Sequence, residues 1–67
     1  MTANEERERP AEDRRREIFR ALVDAQDQGM TVVQSRQAVT KRFGVSDRQL
    51  RQIEREGLDS GWPPLNG

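Results

Sequence analysis

The sequence lacks cysteine, histidine and tyrosine altogether. Without cysteine there are no disulfides and no thiolate ligands, and without histidine a zinc ion would have to be held by carboxylates alone, which suit it poorly. Acid–base catalysis would depend on carboxylates or lysine, and 67 residues offer little pocket in which to shift their pKa values. We therefore predict that the chain is not an enzyme and uses no metal and no cofactor.

Long apolar runs are also missing. No run approaches the roughly 18 residues of a membrane span, and the first residues, MTANE, do not resemble the apolar core of a signal peptide. The lack of disulfides suits a reducing compartment. We expect a cytoplasmic protein that makes no membrane contact.

Charge is abundant but unevenly distributed. Charged residues make up 36% of the chain and sum to zero. Residues 1–30 carry six basic and eight acidic side chains, whereas residues 31–55 carry six basic and two acidic ones, a local net charge of +4. Because phosphate contact depends on the field near the groove rather than on the total charge, the middle segment is the candidate for nucleic-acid binding.

Apolar periodicity predicts an all-α fold, a three-helix helix-turn-helix domain with a non-helical C-terminal tail. We divide the chain into a flexible charged arm (1–9), the helix-turn-helix domain (10–58) and a tail containing tryptophan and proline (59–67). The predicted helices span about 11–28, 32–42 and 47–57.

The first predicted helix begins after Pro10 and ends before Gly29. Its core stripe consists of Ile18, Phe19, Leu22 and Val23. It also carries three consecutive arginines, at positions 14–16. These form either a solvated face, with pairs such as Glu12 to Arg16, or an auxiliary phosphate contact.

The second predicted helix begins near Thr31, where Thr31 and Gln34 fit a capping box; Ser35 is an alternative cap. Its inner face is predicted to consist of Val32, Val39 and Phe43, with Ala38 beside them. The helix must end by Gly44.

The third predicted helix has the clearest start. Ser46 is a strong N-cap, and Gln49 completes a capping box three residues later. Leu50, Ile53 and Gly57 should face inward, and Gly57 should end the helix.

The segment from Val39 to Ile53 has the residue types of a helix-turn-helix, with Gly44 at the corner and Val45 as the plug between the helices. A generic αα-hairpin reproduces part of this pattern. If Leu50 and Ile53 point inward, helical spacing places a base-reading set on the opposite face: Arg48, Arg51, Gln52 and Arg55. The predicted phosphate contacts on the preceding helix are Arg36, Lys41 and Arg42.

Alternatively, the outer face of the third helix is only solvated, or it contacts a protein. Three acidic residues of the third helix support this reading, since each would repel phosphate: Asp47, Glu54 and Glu56.

Residues 35–58 resemble the −35-recognising region 4 of the sigma-70 family of bacterial transcription initiation factors. The run Arg51-Gln52-Ile53-Glu54 is similar to the R-Q-I-E run of that family's recognition helix, with Phe43, Val45, Leu50 and Leu58 in matching places. The resemblance implies that Gln52 reads a base and that Arg51 contacts the backbone. We expect the chain to be too short for the polymerase-binding and promoter-melting domains, and hence not a full sigma factor.

Trp62, followed by Pro63-Pro64-Leu65, either folds back over the small core or is displayed as a polyproline-like docking peptide. Taken together, the sequence predicts sequence-dependent DNA binding in transcriptional control. The expected partners are double-stranded DNA, RNA polymerase or another transcription protein, and a second copy as a homodimer. The alternative is a protein-interaction module of the same fold.

Overall fold

The computed structural model describes residues 11–65, which form three helices. They are α1 (Glu12–Asp27), α2 (Val32–Phe43) and α3 (Asp47–Ser60), and residues 11–65 contain no strand. The predicted all-α, three-helix fold is thus confirmed. The predicted arm at 1–9 and Pro10 lie outside the described residues. None of the three helices has both the length and the apolar character needed to cross a membrane.

Both predicted capping boxes form. The Thr31 hydroxyl accepts from the Gln34 amide at 3.1 Å, and the Gln34 side chain accepts from the Thr31 amide at 3.1 Å. Ser46 and Gln49 repeat this exchange at 3.0 and 3.1 Å. Each box satisfies amides that a helix N-terminus otherwise leaves without a partner, and Thr31 rather than Ser35 caps α2.

One core lies between the three helices and the tail. Its buried apolar members are Ile18, Phe19, Leu22, Val39, Leu50, Ile53 and Trp62. Trp62 is 5% exposed, and its ring meets the Phe19 ring edge-on with the centroids 6.0 Å apart. The tail therefore folds back and closes the core, as the first of the two readings of Trp62 predicted.

The predicted end of the third helix at Gly57 is wrong. The helix continues to Ser60 and ends at Gly61, which takes the left-handed conformation with φ 64°. Gly57 is buried, as expected. It packs so close to α1 that an added Cβ would overlap three carbons of the Phe19 ring. Its carbonyl accepts from the Trp62 amide at 3.0 Å, so this glycine lets α3 approach α1 closely and helps to hold the tail.

The predicted inner face of α2 is only partly right. Val39 is buried and Phe43 is half-buried, but Val32 is 49% exposed and Ala38 is exposed. A polar residue, Ser35, is fully buried in their place. Its hydroxyl donates to the Val32 carbonyl at 2.8 Å and accepts from the Gln26 side chain at 3.2 Å, so the buried group keeps its hydrogen bonds.

The three consecutive arginines of α1 reach three different parts of the fold. Arg14 lies over the Phe43 ring of α2, with its guanidinium carbon 4.7 Å from the ring centroid, and Arg16 lies 5.2 Å from the Trp62 ring. Arg15 donates twice to Glu56 of α3, at 2.9 and 3.1 Å. The expected pair of Arg16 with Glu12 also forms, at 2.9 Å. The run is thus a set of tertiary contacts as well as a charged surface.

Candidate nucleic-acid interface

The corner between α2 and α3 consists of Gly44, Val45 and Ser46. Gly44 has φ 69° and ψ 30°, a left-handed conformation that glycine adopts without steric cost, and its amide donates to the Thr40 carbonyl. Val45 is half-buried and packs against the core beside Phe43. The chain therefore turns sharply at the predicted glycine and starts α3 at the predicted cap.

The four predicted base-reading residues are all exposed. Leu50 and Ile53 are 0% and 2% exposed and anchor the inner side of α3. Arg48, Arg51, Gln52 and Arg55 are exposed along the rest of the helix. Within residues 11–65, Arg48 and Arg55 make no salt bridge, whereas Arg51 pairs with Asp47 one turn earlier, at 3.0 Å. The structure leaves this whole set accessible to a ligand.

Three acidic residues of α3 are bound within the fold. Asp47 pairs with Arg51, Glu54 pairs with Arg36 at 2.9 Å, and Glu56 pairs with Arg15. Glu54 and Glu56 face the other helices, where an arginine compensates each of them. The charges of Glu54 and Glu56 are thus compensated between the helices, whereas Asp47 and its partner remain at the surface.

The two interhelical pairs differ from the surface pair in burial. The Arg15 and Glu56 side chains are 19% and 38% exposed, while those of Arg51 and Asp47 are 65% and 59% exposed. The hydrogen-bonded Glu56 carboxylate raises the pKa of Arg15, against the opposing effect of burial. A base whose pKa rises on folding adds stability that is lost only as the pH rises through that pKa. Since an arginine titrates far above neutral pH even without a partner, the raised pKa of Arg15 adds no pH dependence near neutrality.

The predicted phosphate contacts divide into two kinds. Lys41 and Arg42 are exposed near the end of α2. Arg36 is half-buried and donates to Glu54, and its Nε is buried with no hydrogen-bond partner within the described chain. Arg36 therefore joins α2 to α3, and its guanidinium is less available to a ligand than the other two cations.

One cation of α1 reaches the corner through a contact that the sequence does not predict. Arg14 of α1 lies over Phe43, and Arg42 lies over the same ring, 5.1 Å from its centroid. No local signal links Arg14 to Phe43, because they are 29 positions apart in the sequence.

No family model, curated protein or solved structure matches this chain. The resemblance of residues 35–58 to sigma-70 region 4 thus gains no support from known proteins. It stays a hypothesis based on the Arg51-Gln52-Ile53-Glu54 run and the apolar positions around it.

Proposed function

We propose that this protein is a DNA-binding helix-turn-helix protein that inserts α3 into the major groove and acts in transcriptional control. The observation that carries the proposal is the exposure of Arg48, Arg51, Gln52 and Arg55 on a helix whose other side is locked in the core. An exposed helix with a rigidly held inner side is the element that helix-turn-helix proteins present to DNA.

The chemistry of these side chains fits base edges and phosphates. Arginine can donate two hydrogen bonds to guanine, and glutamine can exchange two with adenine. The Arg51–Asp47 pair does not prevent this, because pairs this exposed contribute only about 0–1 kcal/mol. Arg51 can therefore exchange its carboxylate partner for DNA.

The footprint of one domain is small. A single helix-turn-helix unit reads a short half-site, and dimers that place two units one helical turn apart gain affinity. We propose that the protein binds DNA as a homodimer or alongside another transcription protein, RNA polymerase among them.

A salt titration tests the proposal. The full chain is added to a fluorescent mixed-sequence duplex, and affinity is measured by anisotropy between about 50 and about 300 mM salt. The logarithm of the affinity should fall linearly with the logarithm of the salt concentration, with a slope of about 0.9 per phosphate contacted. Amide chemical shifts that change on adding duplex should cluster at residues 46–55.

A matched pair of variants locates the surface. Arg51→Ala/Gln52→Ala removes two side chains of α3, and Arg20→Ala/Gln28→Ala removes the same residue types from exposed positions of α1 and its C-cap. The first variant should weaken binding strongly and the second only slightly. Equal binding by the α3 variant, or no duplex binding by the wild type at low salt, would reject the proposal.

A second candidate, a protein-interaction module acting on transcription machinery, is favoured by a different surface. Met30, Val32 and Val33 lie close together in the chain and are 41%, 49% and 62% exposed. Adjacent exposed apolar side chains often mark protein contacts. If this is the main function, Val33→Ser should abolish association with the partner and the salt dependence should be shallow.

A further inference from the structure

We infer that Arg14 of α1 and Arg42 of α2, both held over the Phe43 ring, form a clamp for the phosphate backbone beside the groove that α3 enters. The inference deepens the proposed function and rests on it. It selects Arg14 from the three arginines at positions 14–16, for which an auxiliary phosphate contact is one of two expectations, and pairs it with Arg42.

The shared ring limits the distance between the two charges. The guanidinium carbons lie 4.7 and 5.1 Å from the Phe43 centroid, so they are at most about 10 Å apart. Each strand of duplex DNA carries one phosphate per roughly 3.4 Å of helix axis. Two cations within this distance of each other can therefore contact one phosphate together or adjacent phosphates of one strand.

The ring also orders the two arginines before any ligand binds. The attraction between a cation and the face of a ring uses no N–H donor, so the guanidinium groups keep donors for phosphate oxygens. Because part of the side-chain entropy is already lost in the free protein, binding costs less than it would for two freely moving arginines.

The clamp lies next to the proposed recognition helix. Phe43 is the last residue of α2, and α3 begins at Asp47 after the three-residue corner. Four residues span at most about 14 Å even when fully extended. Lys41, exposed on the same last turn of α2, adds a third positive charge. Helix-turn-helix proteins cross the DNA backbone with the helix before the recognition helix.

The carboxylate that pairs with Arg14, that of Glu17, does not prevent phosphate from binding at the clamp. Arg14 donates to Glu17 at 3.1 Å, and the side chains of Arg14 and Glu17 are 49% and 57% exposed. Pairs this exposed are weak, so a phosphate can replace the carboxylate. Glu17 and Arg42 also line the groove between α1 and α2, together with Arg20 and Asp24, which carry opposite charges.

The salt titration of the full chain on a mixed-sequence duplex tests the clamp. Arg14→Ala and Arg42→Ala should each lower the salt slope by about 0.9 and weaken binding to a similar extent on any duplex sequence. Glu17→Gln should strengthen binding, since it removes the residue that competes for Arg14. The control is Arg16→Ala, an equal charge change on α1 at an arginine held over Trp62 instead of Phe43, which should leave the slope within about 0.3 of the wild type.

The outcomes separate the clamp from the groove-reading helix. If the wild type binds and Arg51→Ala/Gln52→Ala weakens it, but Arg14→Ala has the wild-type slope, the clamp is overturned and the proposed function stands. If Arg14→Ala lowers the slope while Arg51→Ala/Gln52→Ala binds like the wild type, the clamp is supported and the groove reading fails. A wild type that binds no duplex at low salt overturns both. Circular dichroism of each variant establishes that the fold is retained.

Discussion

The two sides of α3 differ both in residue type and in what their charged side chains contact. On the inner side, Glu54 and Glu56 bind arginines of α2 and α1 around a floor of Leu50 and Ile53. On the outer side, Arg48 and Arg55 make no ion pair within residues 11–65. The net charge of zero therefore hides an uneven distribution of charge between the two sides of this helix. Each ion pair uses a base as well as an acid, so what distinguishes the outer side is that Arg48 and Arg55 stay unpaired within residues 11–65.

The largest expected effect follows from removing the apolar anchor of the inner side. Ile53→Ala should cost about 2–5 kcal/mol of unfolding free energy, because it leaves a cavity beneath a side chain that is only 2% exposed. A domain of this size has roughly 3–10 kcal/mol in total, so much of the protein should unfold. Urea denaturation followed by circular dichroism measures this loss.

Arg55→Ala on the outer side is the control for that measurement. It should change the unfolding free energy by no more than about 0.5 kcal/mol, since the side chain is exposed and unpaired within residues 11–65. If the two variants lost equal stability, the distinction between the two sides of α3 would be wrong.

The next largest effect concerns the close contact at Gly57. Alanine favours helix by about 1 kcal/mol over glycine, yet its Cβ would overlap the Phe19 ring, which is 1% exposed and has little room to move. We expect Gly57→Ala to destabilise the domain by about 1–3 kcal/mol, the usual cost of overpacking. Thermal unfolding should show a lower Tm.

A double-mutant cycle identifies the cause of that loss. Phe19→Leu makes room for the new methyl group, so Phe19→Leu/Gly57→Ala should lose less stability than the two single variants added together. Additive losses would mean that the Phe19 ring is not what limits position 57.

The same glycine shows why the sequence predicted some of the fold and missed the rest. The starts of α2 and α3 were predictable because each capping box lies within four consecutive residues, Thr31 to Gln34 and Ser46 to Gln49. Glycine suits both a C-terminal cap and a close helix contact, and the local pattern at Gly57 favours the cap. The choice between those roles depends on Phe19, which is 38 positions earlier in the chain.

The candidate interface also has one part that the sequence predicts and one part that it does not. The exposure of Arg48 and Arg55 follows from helical period once Leu50 and Ile53 are inside. The pairing of Arg36 with Glu54 does not follow from sequence spacing, since they are 18 positions apart and meet only when α2 and α3 pack. Helical periodicity thus predicts which residues lie on the outer side of α3, whereas the packing of the helices decides which other cations are free to contact a ligand.

Smaller losses of stability are expected when single ion pairs are broken, and the loss should be greater for an interhelical pair than for a surface pair. Glu56→Gln removes the carboxylate that holds both ends of the Arg15 guanidinium, and we expect a loss of about 1 kcal/mol, because the pair is only partly exposed. Glu17→Gln breaks the exposed pair with Arg14 and should cost less than about 0.5 kcal/mol. Urea denaturation at low salt measures both, and a larger loss for Glu17→Gln would contradict the proposed difference between the pairs.

Another small loss of stability is expected at Asp47, where removal of the carboxylate should at the same time raise the affinity for DNA. Asp47→Asn removes an exposed pair and a favourable charge in the first turn of α3, each contributing a few tenths of a kcal/mol. It also frees Arg51 and removes a charge that repels phosphate at about 1 kcal/mol, so the affinity for duplex DNA should rise about fivefold. Asp27→Asn is the matched control, because Asp27 is an exposed carboxylate at the last residue of α1 and lies outside α3. Anisotropy titrations that find equal gains for the two variants would show that general charge, rather than the Arg51 side of α3, controls binding.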